Sequence, residues 1–210
     1  MSTCWRFPLN LGYLEAEFFL YGSTGLLSRK SVTSGDPENC QGISKALLTL
    51  SAEVFTTIMD DGFGRTLVPP FDPCVNSINY LLASYMIPYV GLTGYVGANP
   101  RLQGTYSKKL VAGLLGMESG QDAVIRALLY QRADKPVEPY GITVAKFTEH
   151  ISKLRNKLSN GGLKDEGLVV PRRQGAEGSV SGNILAGDEN SVTYEPTAEE
   201  ILSIVYGSGK

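Results

Sequence analysis

Glu118 and Asp122 are the residues of this chain best placed to do chemistry. They sit one helical turn apart in Glu-Ser-Gly-Gln-Asp, inside a helical pattern that spans about Ser107–Ala133. At about 100° per residue, Val111, Leu114, Leu115, Ile125 and Leu129 fall on the same side as Glu118, and so does Asp122. Two carboxylates are thus centred on the stripe that should face a core. A buried ionised carboxylate is costly alone, so such groups are paired, protonated or metal-bound. Inward carboxylates on bundle helices are also how di-iron and di-manganese sites are built, so Glu118 and Asp122 are candidate metal ligands.

The rest of such a site is largely missing. A carboxylate-bridged pair of metals takes about four carboxylates and two histidines, with Glu-x-x-His on each of two helices. The i+3 spacing matters because both side chains then reach one ion. Three residues after Glu118 stands Gln121, and an amide is a weak ligand beside imidazole. The one histidine, His150, lies on a different helix beside a charged face and reads as structural. Glu15 and Glu17, on an N-terminal helix, are the further candidates: a residual metal site requires one of them to converge with Glu118 and Asp122. The competing expectation is a buried polar network satisfied by Tyr85, Tyr89 or Arg126. Other catalytic patterns are weaker. Gly-Leu-Leu-Gly at 113–116 has no phosphate-loop lysine, and Ser119 has neither a strand–turn–helix elbow nor a placed histidine.

The elements that must position these groups are helical. Leu11, Leu14, Phe18 and Tyr21 give a stripe for a helix over Leu9–Tyr21, flanked on opposite sides by Glu15 and Glu17. Residues 22–45 lose all periodicity. A short helix is predicted near Ser51–Asp60, with Ser51 as N-cap. Asp72-Pro73 marks the start of an uncharged helix that runs to about Gly97 and kinks at Pro88, while Gly91, Gly94 and Gly97 admit a close neighbour. A further amphipathic helix begins near Thr143 with Val144, Phe147, Ile151, Leu154 and Leu158. Residues 161–196 show no sustained pattern. Thr197 and Glu200 then form a capping-box signature before Ile201, Leu202, Ile204 and Val205.

Composition narrows the classes. At 210 residues the chain suits one domain with a tail: a bundle over 1–160 and an irregular extension over 161–210 with a short terminal helix. A formal charge of −2 gives no reason to expect nucleic acid as a partner, and Lys153, Arg155 and Lys157 read as a solvated helix face. Cys4, Cys40 and Cys74 make neither a disulfide framework nor a zinc site. No signal peptide is recognisable. The uncharged run between Asp72 and Arg101 is long enough to span a bilayer, but Asn76, Ser77, Asn79, Ser84, Thr93 and Pro88 interrupt it. It reads as a buried bundle helix and not as a membrane span.

Four blocks of the chain resemble the plant desiccation-related proteins of the ferritin-like superfamily. They are FPLNLGYLEAEFFLYG at 7–22, PPFDPCVNSINYLLASYMIPYVGLTGYVGANPRLQG at 69–104, LVAGLLGMESGQDAVIRALLYQRAD at 110–134 and GAEGSVSGNILAGDENSVTY at 175–194. The resemblance implies a mainly α fold, a ferritin-like helical bundle, in a plant protein that accumulates under dehydration and is secreted, apoplastic or vacuolar. Fold analogy alone does not bring a metal function with it. Three departures from the family pattern stand out. Unrelated sequence at 23–45 replaces the second bundle helix and its Glu-x-x-His-type ligands, no leader precedes the first block, and the extension beyond Tyr206 is short. An incomplete bundle exposes apolar surface, at ~25 cal/mol per Å² of lost burial, which homo-oligomer formation would recover.

The expected function is therefore that of a stress-associated protein of ferritin-like fold, non-enzymatic, without an intact di-metal centre or cofactor, acting on a protein or cell-wall partner. The alternatives are a residual carboxylate site for iron or manganese, or a pocket enzyme using Glu118 as acid or base.

Overall fold

A computed structural model describes residues 52–207. The predicted helix at Leu9–Tyr21, its Glu15 and Glu17, the segment 22–45 and the Ser51 cap lie outside the described residues. Helix α1 covers Ala52–Phe63 and buries Phe55 and Met59. Asp60 ends it by accepting the Leu67 amide at 2.8 Å, which folds the following turn back.

The uncharged segment forms two helices, α2 at Ser77–Tyr85 and α3 at Pro88–Ala98, and not one kinked rod. Met86 and Ile87 donate to the carbonyls of Ala83 and Ser84 at 3.1 and 3.2 Å, the tight closure of a helix end. Pro88, with no N–H, then opens α3 at a position where none is needed. The start also differs from expectation. Asn76 caps α2 by accepting from the Asn79 amide at 2.9 Å, whereas the Asp72 carboxylate closes a local turn onto the Cys74 amide at 2.8 Å. The 18-residue window of Ser77–Arg101 that is apolar enough to cross a membrane is 72% buried inside the bundle, which accounts for its composition.

Helix α4 spans Thr105–Tyr130 and lies along α3, with α2 beside it. A two-stranded ribbon, β1 Pro136–Val137 antiparallel to β2 Ile142–Thr143, leads into α5 at Val144–Leu158. Thr143 caps α5 through the Lys146 amide at 3.3 Å. Phe55, Met59, Phe71, Leu82, Ile125, Leu129, Phe147 and Ile151 fill the space between these helices.

Beyond α5 the chain is irregular but packed. Leu168 joins the same core. Val170 and Asn183 donate to the carbonyls of Ser181 and Leu168, both at 2.9 Å, so residues 168–183 fold back on themselves. Helix α6, Ala198–Val205, carries the full capping box: Thr197 Oγ1 accepts from the Glu200 amide at 3.3 Å and Glu200 Oε2 from the Thr197 amide at 2.7 Å. Its Ile201 rests on Gly94 of α3. The carbonyl of Pro196 presses so closely on Gly97 that any Cβ there would overlap it.

Candidate functional site

Helix α4 turns Val111, Glu118, Asp122, Ile125 and Leu129 inward together, as its 100° spacing requires, with Arg126 at the edge of the same stripe. Glu118 and Asp122 are both buried. The Glu118 carboxylate lies against Gly91 of α3, where a Cβ would overlap all three of its terminal atoms. Gly91 is thus the space in which that carboxylate sits. Gly91→Ala is expected to force it aside or part α3 from α4, at about 1–3 kcal/mol. In a Glu118→Ala background the same change should cost measurably less, and denaturant unfolding of the four proteins checks the non-additivity.

Burial pushes the Asp122 carboxyl up from 3.8 to about 6, against the opposing pull of Arg126 and Arg155. Arg126 is completely buried. Its Nη1 donates to the Tyr85 hydroxyl at 3.1 Å, and its Nη2 to the carbonyls of Glu166, Gly167 and Asn183 at 3.0, 3.1 and 3.0 Å. Burial opposes its charge, but Tyr85, Asp122, Asp165 and Tyr89 around it raise the guanidinium pKa overall. Arg155 does a parallel job on α5. It pairs with buried Asp165 at 3.0 Å, donates to the Tyr85 carbonyl at 2.9 Å and lies over the Tyr85 and Tyr89 rings. Asp165, Glu166 and the Tyr85 phenol are likewise raised by burial.

Several expectations change here. Arg155 is not part of a solvated face; Lys153 is, and it pairs with Glu149 at 2.5 Å. The tyrosines serve the C-terminal segment: Tyr89 donates to the Lys164 carbonyl at 2.8 Å, and the Tyr85 hydroxyl meets Ser152, Arg126 and the Glu166 carbonyl. His150 is structural, with Nδ1 3.1 Å from the Gly62 carbonyl and its ring stacked on Phe63 at 4.1 Å. Arg126 was one of three anticipated partners; its grip on residues 166–183 was not legible. Its one sequence signal is its place one turn after Asp122.

A model of the ferritin-like domain matches residues 3–131. The chain belongs to the ferritin-like family. The desiccation-related protein PCC13-62 of Craterostigma plantagineum is 50% identical over 237 aligned positions, covering 94% of this chain and 74% of its own length. The ferritin-like catalase Nec2 of Nesocodon mauritianus is 42% identical over 240 positions, covering 97% and 77%. Both alignments run longer than the 210 residues of this chain, so each relative has internal positions with no counterpart here. No solved structure gives a significant match.

A two-metal carboxylate centre, which the family implies, does not fit the described residues. No three of their His, Cys, Asp and Glu side chains are grouped to hold a metal ion. Gln121 stands where an imidazole would serve, and the buried Arg126 and Arg155 guanidiniums already act electrostatically on Asp122, so a metal cation there would meet fixed positive charge. Glu15 and Glu17, the remaining candidates, lie outside the described residues.

Proposed function

We propose that this is a dehydration-associated member of the ferritin-like family that works as a scaffold, without catalysis, its interior held by an arginine–carboxylate lattice in place of a di-metal centre. The observation that carries this reading is Arg126, a wholly buried cation with four hydrogen bonds, whose charge acts on Asp122 one helical turn away. A charge so placed disfavours a metal cation at the same carboxylate. The similarity to a desiccation-related protein supports the stress association, and a protein or cell-wall partner is the corresponding ligand class.

A second reading draws on the similarity to a ferritin-like catalase. In it Glu118 and Asp122, with Glu15 or Glu17, bind iron or manganese and the protein disproportionates hydrogen peroxide. Metal content after incubation with Fe(II), Mn(II) and Zn(II), with peroxide turnover measured on the same samples, separates the two. The scaffold reading predicts a folded protein with substoichiometric metal and no turnover above free ions. Stoichiometric metal and turnover, both lost in Glu118→Ala, would overturn it in favour of the second.

A further inference from the structure

On the side away from its carboxylates, α4 keeps an apolar stripe that no described element covers. Tyr106, Leu110, Met117 and Val124 are 81, 44, 67 and 61% exposed. At Gly113 and Gly120, on the same line, no atom of the described residues lies within 4 Å of where a Cβ would stand. The six positions recur at intervals of four, three, four, three and four residues, the spacing of a helix–helix seam, and lie roughly 80–160° round the helix from Glu118 at the centre of the buried stripe.

The order of side chains along this seam is Tyr, Leu, Gly, Met, Gly, Val, and it complements itself when reversed. Laid antiparallel about Leu115, Tyr106 falls opposite Val124, Leu110 opposite Gly120 and Gly113 opposite Met117. Each large central side chain then meets a glycine, which lets the two backbones approach closely. A parallel pairing sets Met on Met and Gly on Gly, and brings Lys108 and Lys109 beside their own copies. The antiparallel one holds the two Lys109 side chains ~18 Å apart along the axis, so repulsion selects it.

The alignments point the same way. PCC13-62 and Nec2 align over 237 and 240 positions against 210 residues here, a deficit long enough for a bundle helix. Losing a helix bares the faces it covered, and a second copy of the same face restores the burial.

We propose that this chain pairs with a second copy of itself through the Tyr106–Val124 face of α4, antiparallel about Leu115, with Leu110 and Met117 of each copy seated on Gly120 and Gly113 of the other. One helix face per copy is small for a protein interface, so the association depends on concentration.

The test uses the full chain with Cys4, Cys40 and Cys74 replaced by serine, followed by sedimentation velocity from about 1 to 100 µM. The mass should climb from 22.6 kDa towards twice that value as concentration rises. Met117→Glu should weaken the association at least tenfold with unchanged circular dichroism, and Val124→Lys repeats the test should that protein fail to fold. Mixed Tyr106→Cys and Val124→Cys chains should cross-link on oxidation, while neither does so alone. A monomer at every concentration would overturn the proposal, the face then being covered by the chain's own residues 1–51 or kept for another protein. So would a dimer untouched by both charge substitutions, or Tyr106→Cys cross-linking to itself.

Discussion

Replacing Arg126 with methionine is expected to lower the melting temperature by about 10 °C or more. Methionine fills a similar volume, so the loss is electrostatic and not a cavity. The Tyr85 hydroxyl and the carbonyls of Glu166, Gly167 and Asn183 all lose their shared donor at once, in a site closed to water. Removing one partner from a buried ionic arrangement costs about 3–5 kcal/mol, because what remains is charged or polar and unpaired. In a domain of this size each kcal/mol moves the transition by roughly 2–4 °C. Adding Asp122→Asn should return part of the loss, since the carboxylate stranded by the first change is then neutral. Thermal melts of the four proteins at neutral pH measure that coupling.

Asp122→Asn alone should do the opposite and raise stability at neutral pH. Burial holds the carboxyl near 6 in the folded chain against its ordinary 3.8, so between those values the folded state binds the proton that the unfolded state has released. Stability therefore falls as pH rises through this window, and at neutral pH the ionised group carries a cost of roughly 2–3 kcal/mol. An asparagine has no proton to lose. The variant should melt about 5–10 °C above the parent at pH 7.5 and level with it near pH 4. Equal offsets at both pH values would mean that Asp122 does not titrate in the window. Asp165 and Glu166 are shifted in the same direction, so the parent protein itself should soften as the solution moves from acid to neutral.

The helical frame was readable because local signals fix it. The inward turn of Glu118 and Asp122 follows from arithmetic on one helix, the start of α5 near Thr143 from its apolar periodicity, and the Thr197 cap from residue types at a set spacing. Where two local signals competed, the sequence misled. Asp72-Pro73 and Asn76 both offer a cap, and only the geometry shows that Asp72 spends its oxygen on Cys74 and Asn76 starts the helix. Pro88 was rightly a disruption, but whether a proline bends one helix or begins another depends on how the preceding turn closes. The heart of the site was least legible. Arg126 reaches carbonyls between 40 and 57 residues downstream, in a segment with no periodicity, and a carbonyl carries no residue-type signal at all. Arg155 was misread for the same reason, since its partner Asp165 sits in that segment.

The grip of Arg126 on those distant carbonyls also sets an order of events at the ribosome. The α4 helix is synthesised long before residues 166–183, yet its guanidinium is dry only once they have arrived. Until then the nascent helices must leave that side open to water, because a cation sealed in without acceptors would be unaffordable. Residues 166–183 are thus the part that lets the helices before them in the described region close, and a ribosome stalled near Asn160 would hold those helices unable to finish packing.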